Sequence, residues 1–249
     1  VFALSHKARK TALESGFVTL ALQELPFVEN DSKAMGSLLA SCAQLAIDYK
    51  AAQEQLIEEW GQETLMGILE ENEVSLHFFN CLVCRNTAAQ GAFASNLKGK
   101  VNLLNKVIDM FEASHLSSSL LLQLMASLMN SDFVRRTMYR KKMIRRIFGR
   151  LRNTVSRRDW AQAEDVLRIV TTLAFYPDGC DEMFDQTNVV DYLEMLTESV
   201  DICSMPLFGL FVRNMRDHKR TWSGLSSALQ QSNKKLFQRL NDAANAFSV

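Results

Sequence analysis

The chain has 249 residues, is 47% hydrophobic and balances 28 basic against 28 acidic residues, so nothing in its overall charge marks a nucleic-acid or membrane protein. Its five cysteines follow no disulfide-framework spacing, which favours a reducing, cytoplasmic setting. The length suffices to bury a substantial core, either as one domain or as an elongated array.

Ten glycines and three prolines leave few turn-rich stretches, and apolar residues recur at helical spacing throughout. The predicted fold is all-α, built from many helices of roughly 8 to 16 residues. The first residue is Val, not Met, so the sequence is expected to be a piece of a longer protein. The opening "FALSHKARKTALESGFVTLAL" looks like the second half of a unit entered partway through. A weak further copy centres on "CAQLAIDYKAAQEQLIEEW".

From Ala51 to Cys84 the chain carries Glu54, Glu58, Glu59, Glu63, Glu70, Glu71 and Glu73 without one Lys or Arg. An acidic surface follows, with Glu58, Glu59, Glu70, Glu71 and Glu73 as a secondary candidate for protein binding. In "HFFNCLVC", His77, Cys81 and Cys84 stand at i, i+4 and i+7 on one helical face, a spacing that could serve a metal. No fourth ligand is near, Val74 extends the same face into an apolar helix, and buried cysteines are the simpler reading. No metal or cofactor is expected.

Val83, Leu128 and Leu173 are 45 residues apart, each near the end of an apolar helix, and Phe93, Met138 and Met183 follow each by ten. Val101, Leu103 and Leu104, then Met143 and Ile144, then Val189 and Val190, come next in each unit. One long, one short and one medium helix per unit result: 117–130, 132–140 and 141–153, then 160–175, 179–186 and 188–199. Such units stack because none can bury its apolar face alone. "EASHLSSS" reads as a loop in which Ser118 or Ser119 caps the next helix. "LLLQLMASLM", Leu120 to Met129, is too short to span a bilayer. Asp178 and Asn188 sit where N-caps are expected, and Pro177 breaks the preceding helix. Val212 and Trp222 keep the ten-residue interval in a shorter fourth copy. Trp160 and Trp222 are expected to wedge between units.

No nucleophile system emerges: the four histidines are scattered, G-x-S-x-G is absent, and "GKVNLL" lacks the Walker spacing. The chain is not expected to be an enzyme.

"VRRTMYRKKMIRRIFGRLRNTVSRR", Val134 to Arg158, holds eleven Arg and Lys and no acid. At about 100° per residue, Met143, Ile144, Ile147, Phe148 and Leu151 share one arc, and Lys141, Lys142, Arg145, Arg146, Arg150 and Arg152 fill the other. A helix starting just after Arg140 would place Lys141 over Arg145 and Lys142 over Arg146, and such repulsion calls for relief. Asp159, Glu164 and Asp165 of the next unit could supply it, as could an acidic or coiled-coil partner, or nucleic acid and tubulin-like polyanions. A solvated face is the remaining reading. Only Tyr139, with Arg140 and Lys141 beside it, comes near a base-stacking arrangement. Membrane binding would compete with the core for the same apolar side chains. The basic docking face is Arg135, Arg136, Arg140, Lys141, Lys142, Arg145, Arg146, Arg150 and Arg152.

The phrases "FALSHKARKTALESGFVTLAL", "LVCRNTAAQGAFASNL" and "FVRNMRDHKRTW" resemble armadillo-type units, in which a helix ends near an Arg-Asn pair, here Arg85–Asn86 and Arg213–Asn214. At the 45-residue offset Asn86 falls on Ser131 and Tyr176, so the middle units depart from the pattern. More narrowly, the text resembles the carboxy-terminal armadillo-like region of Rotatin-family centriole proteins. The resemblance implies a single armadillo/HEAT-like, right-handed superhelical domain over 1–249, of about five full or partial units. It also implies a non-enzymatic scaffold at centrioles, centrosomes or ciliary basal bodies. The regular Asn ladder with which armadillo proteins grip extended peptides is missing. The alternative function is a nucleic-acid-binding helical module using residues 135–158.

Overall fold

A computed structural model describes residues 4–95, 102–113 and 118–246. Every regular element among them is a helix. The chain forms two compact units, Val1–Val134 and Arg135–Val249.

The first unit comprises α1 (His6–Glu14), α2 (Phe17–Val28), α3 (Ser32–Ala46), α4 (Lys50–Ile68), α5 (Glu73–Val83), α6 (Thr87–Ala94), α7 (Leu103–Ala113) and α8 (Ser119–Leu128). Short polar side chains start these helices: Asp31 accepts from the Lys33 and Ala34 amides, Asn72 from Ser75, Asn86 from Ala88 and Ala89, and Ser118 from Leu121. Helix α4 breaks at Gly61, whose φ of 65° and ψ of 169° are not helical. Helices α3, α5 and α8 pack side by side in that order, and α4 packs on α2, α6 and α7. Trp60 seals the joint: it is buried, donates its indole N–H to the Val18 carbonyl at 3.3 Å and lies against Phe78.

Helix α9 (Asp132–Arg140) straddles the division. The second unit continues with α10 (Met143–Ser156), α11 (Trp160–Ala174), α12 (Pro177–Gln186), α13 (Val189–Glu198), α14 (Val200–Cys203), α15 (Pro206–Asp217), α16 (Lys219–Ser232) and α17 (Lys234–Ala246). Helices α11, α15 and α17 pack in succession, and α10 lies against α11, α12 and α13.

The 45-residue register is a core register. Val83, Leu128 and Leu173 are wholly buried near the ends of α5, α8 and α11, and Phe93, Met138 and Met183 are wholly buried in α6, α9 and α12. The fourth copy differs from expectation. Met215 and Leu225 are the buried pair ten residues apart, whereas Trp222 is half-buried and lies against Phe237 within the same copy. The short helix follows Asn86, Ser131, Tyr176 and then His218, three residues early. Asn214 therefore is not the counterpart of Asn86. It lies inside α15 and donates to the Thr171 carbonyl at 3.1 Å.

Asp178 does not cap α12. Pro177 takes the first helical position, where its missing N–H costs nothing, and Tyr176 precedes it without a side-chain cap bond. Asn188 does precede α13, again without a side-chain cap bond. The cap to α8 is Ser118, not Ser119. Val101, His115, Ser117 and the first half of "GKVNLL" lie outside the described residues.

Candidate functional site: a basic helix edge and an acid-rimmed groove

The basic stretch is two helices, not one. Lys142 adopts a left-handed φ of 55°, so Lys141 and Lys142 form the turn between α9 and α10, which starts at Met143. The expected repulsions of Lys141 over Arg145 and Lys142 over Arg146 therefore do not arise as stacked helical pairs, because two of the four charges lie outside the helix. Met143, Ile144, Ile147, Phe148 and Leu151 are wholly buried. Arg136, Arg140, Lys141, Lys142, Arg145, Arg146 and Arg152 are exposed, and Arg150 is half-buried.

Arg135 leaves the expected docking face. It is only 5% exposed. Its guanidinium lies 3.6 Å from the centre of the Tyr176 ring, and Nε donates to Asp178 Oδ2 at 3.2 Å. The Tyr139 hydroxyl donates to the same carboxylate oxygen at 3.2 Å. Burial, reinforced by Asp178, pushes the Tyr139 hydroxyl well above the ordinary phenol range. Tyr139 is thus a buried strut between α9 and α12, and no base could stack on it.

Of the three acids of the next repeat that could relieve the basic face, two are otherwise engaged. Asp159 accepts from the Gln162 amide at 3.1 Å as the cap of α11, and Glu164 pairs with Arg168 at 3.6 Å along that helix. Two other acids border α10 instead. Arg145 and Arg152 line a depression of about 340 Å³ together with Asp185, Asp191 and Tyr192. The Arg152 guanidinium stands 5.7 Å from the Tyr192 ring centre.

The acidic set divides. Glu59 accepts from the Thr19 hydroxyl at 2.8 Å and from the Gln55 amide, which ties it to α2 and to its own helix. Glu58 is exposed on the same side of the Gly61 break. Glu70, Glu71 and Glu73 sit at the other end, in the corner between α4 and α5. Glu70 and Glu73 line a groove of about 900 Å³ bounded by the ends of α2, α3, α4 and α5. Glu29 adds a third carboxylate to that lining. Nothing in the sequence spacing brings Glu29 to Glu70.

Cys81 Sγ stands 3.7 Å from His77 Nε2, and the Cys84 thiol faces Asp48 at 3.5 Å. Among the described residues no group of three or more His, Cys, Asp and Glu could hold a metal ion. All five cysteines are free thiols. Burial pushes Cys42 and Cys180 up to about 12, with Asp181 and Asp178 adding to the effect at Cys180. The folded state thus favours the neutral thiol. That stability is complete below the ordinary thiol pKa of about 8.5 and is lost as the pH rises toward the folded value. At pH 8, iodoacetamide should leave Cys42 and Cys180 unmodified in the folded chain and label all five cysteines in urea, as read by mass spectrometry. Rapid labelling of either in the folded chain would show that its helix opens.

Among the described residues no helix is long and apolar enough to cross a membrane. No family model and no curated protein matches the sequence. Among solved structures the chain is similar to a designed armadillo repeat protein, with a TM-score of 0.54 and 13% identity over 93% of this chain and 100% of that one. At that identity the likeness speaks for the backbone alone: the fold is an all-α helical-repeat solenoid of the armadillo/HEAT kind.

Proposed function

We propose that the chain is a protein–protein interaction scaffold, one continuous array of about five full or partial repeat units that presents the basic edge of α10 to an acidic or coiled-coil surface. The observation that carries this reading is the segregation within residues 140–152. The apolar side chains are wholly buried while Arg140, Lys141, Lys142, Arg145, Arg146 and Arg152 remain exposed. Buried apolar residues cannot enter a bilayer, which argues against a membrane-surface helix. A one-signed charged edge on a rigid helix steers oppositely charged partners and selects among them. The finer placement, a cytoplasmic scaffold at centrioles or ciliary basal bodies, has its support in the resemblance of the sequence to the Rotatin family.

The test is crosslinking mass spectrometry on affinity-purified chain, comparing the parent with Arg140→Glu/Lys141→Glu/Arg145→Glu. These positions are exposed, so the variant should melt within a few degrees of the parent and lose the partners crosslinked to residues 140–152. Retention of every such crosslink would refute the reading. Duplex or single-stranded DNA binding to the parent at low salt, falling steeply as salt rises, would replace it with a nucleic-acid module.

A further inference from the structure

The groove at the corner of α2 to α5 has features that the fold itself does not need. Its floor is apolar, made by Leu25, Met35, Leu39, Ile68 and Val74. Its charged lining is Glu29, Glu70 and Glu73, with no Lys or Arg among the lining residues. Phe27, 82% exposed, is the chain neighbour of the groove-lining Pro26. Two glycines face the opening, Gly36 in α3 and Gly67 in the last turn of α4. Glycine inside a helix is less favourable than alanine, and a close packing contact usually explains its presence. Here a Cβ at either position would meet nothing within 4 Å. Neither glycine has a positive φ. As at Gly149 and Gly224, neither packing nor backbone conformation inside the chain requires them; what sets Gly36 and Gly67 apart is that both line one groove.

We infer that this groove is a docking site for a basic amphipathic helix of a partner protein, its apolar stripe on the Leu25–Leu39 floor and its Lys or Arg side chains on Glu29, Glu70 and Glu73. Charge complementarity selects the sign. The ends of α2 and α4 and the starts of α3 and α5 meet at the groove, so their dipoles oppose one another and the carboxylates decide the local potential. Asp31 already accepts the Lys33 and Ala34 amides at the start of α3, and Asn72 the Ser75 amide at the start of α5, which leaves those helix starts less open to an anion. The form of the occupant follows from its backbone. The walls are helices bonded within themselves that offer neither a strand edge nor the regular Asn ladder that grips extended peptides, so the occupant that fits is one that satisfies its own N–H and C=O groups, as a helix does. The α10 helix of a second copy cannot serve, because its apolar residues are wholly buried. The small surface left by Gly36 and Gly67 allows close approach of the incoming helix.

This inference shares with the proposed function the idea of a protein-binding array but concerns a different surface, and its test is separable. The probe is a fluorescein-labelled helical peptide of about 14 residues, built of leucine and lysine with leucines at i, i+3, i+4 and i+7. It is titrated with the full chain and followed by anisotropy. The parent should bind it saturably, and a leucine–glutamate peptide of the same pattern should not bind. Gly36→Leu/Gly67→Leu, which changes no charge, should weaken binding at least tenfold while the melting midpoint stays at or above that of the parent. Gly36→Ala serves as the folding control and should raise the midpoint. Glu29→Lys/Glu70→Lys should also lose the peptide. Arg140→Glu/Lys141→Glu/Arg145→Glu should keep it, so that failure of the basic-edge reading and failure of this one look different. Binding within twofold of the parent in the folded double-leucine variant overturns the inference, as does equal binding of the leucine–glutamate peptide. So does sedimentation showing a parent dimer that the double-leucine variant abolishes, since the occupant would then be a second copy.

Discussion

Gly179→Ala should destabilise the chain by about 3 kcal/mol, a large change for a single methyl group. Gly179 is buried in the first turn of α12. A Cβ at that position would overlap the Leu173 carbonyl oxygen, stand 2.9 Å from its carbon and lie 3.2 Å from the Tyr139 hydroxyl. The first two obstacles are backbone at the end of α11, which cannot rotate aside. That carbonyl also accepts the Tyr176 amide at 3.1 Å, so shifting it would disturb the turn that launches α12. Urea unfolding followed by circular dichroism should show a midpoint lower by roughly 1.5 M, taking a slope of about 2 kcal/mol per M. The matched control is Gly149→Ala in α10, where nothing lies within 4 Å of the added atom. That variant should gain about 0.5–1 kcal/mol from helix propensity alone. Equal stability for the two variants would mean that α12 does not approach α11 as closely as described.

Arg135→Ala is the second large effect, a loss of about 2–3 kcal/mol. Its guanidinium is stacked on Tyr176 at 3.6 Å and bonded to Asp178, and the side chain is almost wholly withdrawn from water. Truncation removes the cation–π contact and the packing of the aliphatic stem. It also leaves Asp178 with the Tyr139 hydroxyl in place of two donors. Asp178 is 41% exposed, so solvent screens much of the lost ion pair and most of the cost falls on the stack. Arg135→Lys should recover less than half, because an ammonium has neither the planar face nor the fork. Chemical denaturation separates the three proteins. The same series tests the division of labour within the basic stretch, since folded Arg135→Ala should still capture whatever docks on Lys141 and Arg145. Loss of that partner without loss of stability would return Arg135 to the docking face.

The helical class, and the limits of the six helices expected between 117 and 199 to within three residues, were legible because they depend on interactions within one turn or two. Ser118, Asp31 and Asn86 bond amides two or three residues ahead, and apolar spacing marks the buried side of each helix. The expected helices 132–140 and 160–175 lie within a residue of α9 and α11 for the same reason. The fourth copy was misplaced by three residues. An Arg-Asn pair at 213–214 mimics the one at 85–86, and only the burial of Met215 and Leu225 sets the register.

The basic stretch with which the sequence is most unusual was half readable. Periodicity identified its buried residues Met143, Ile144, Ile147, Phe148 and Leu151, because a helix determines its own apolar face. It could not separate Arg135 from the other arginines. The ring and carboxylate that take Arg135 out of solvent come from Tyr176 and Asp178, one repeat further along the chain. Their one local trace is the Tyr-Pro-Asp start of α12. The acid-rimmed groove was equally hidden, since it joins Glu29 to Glu70 and Glu73 across four helix ends. Local sequence determines which side of each helix faces inward. What a buried charge rests on, which glycine another backbone touches and which carboxylates share a groove depend on how one repeat stacks on the next, and that only the tertiary structure decides.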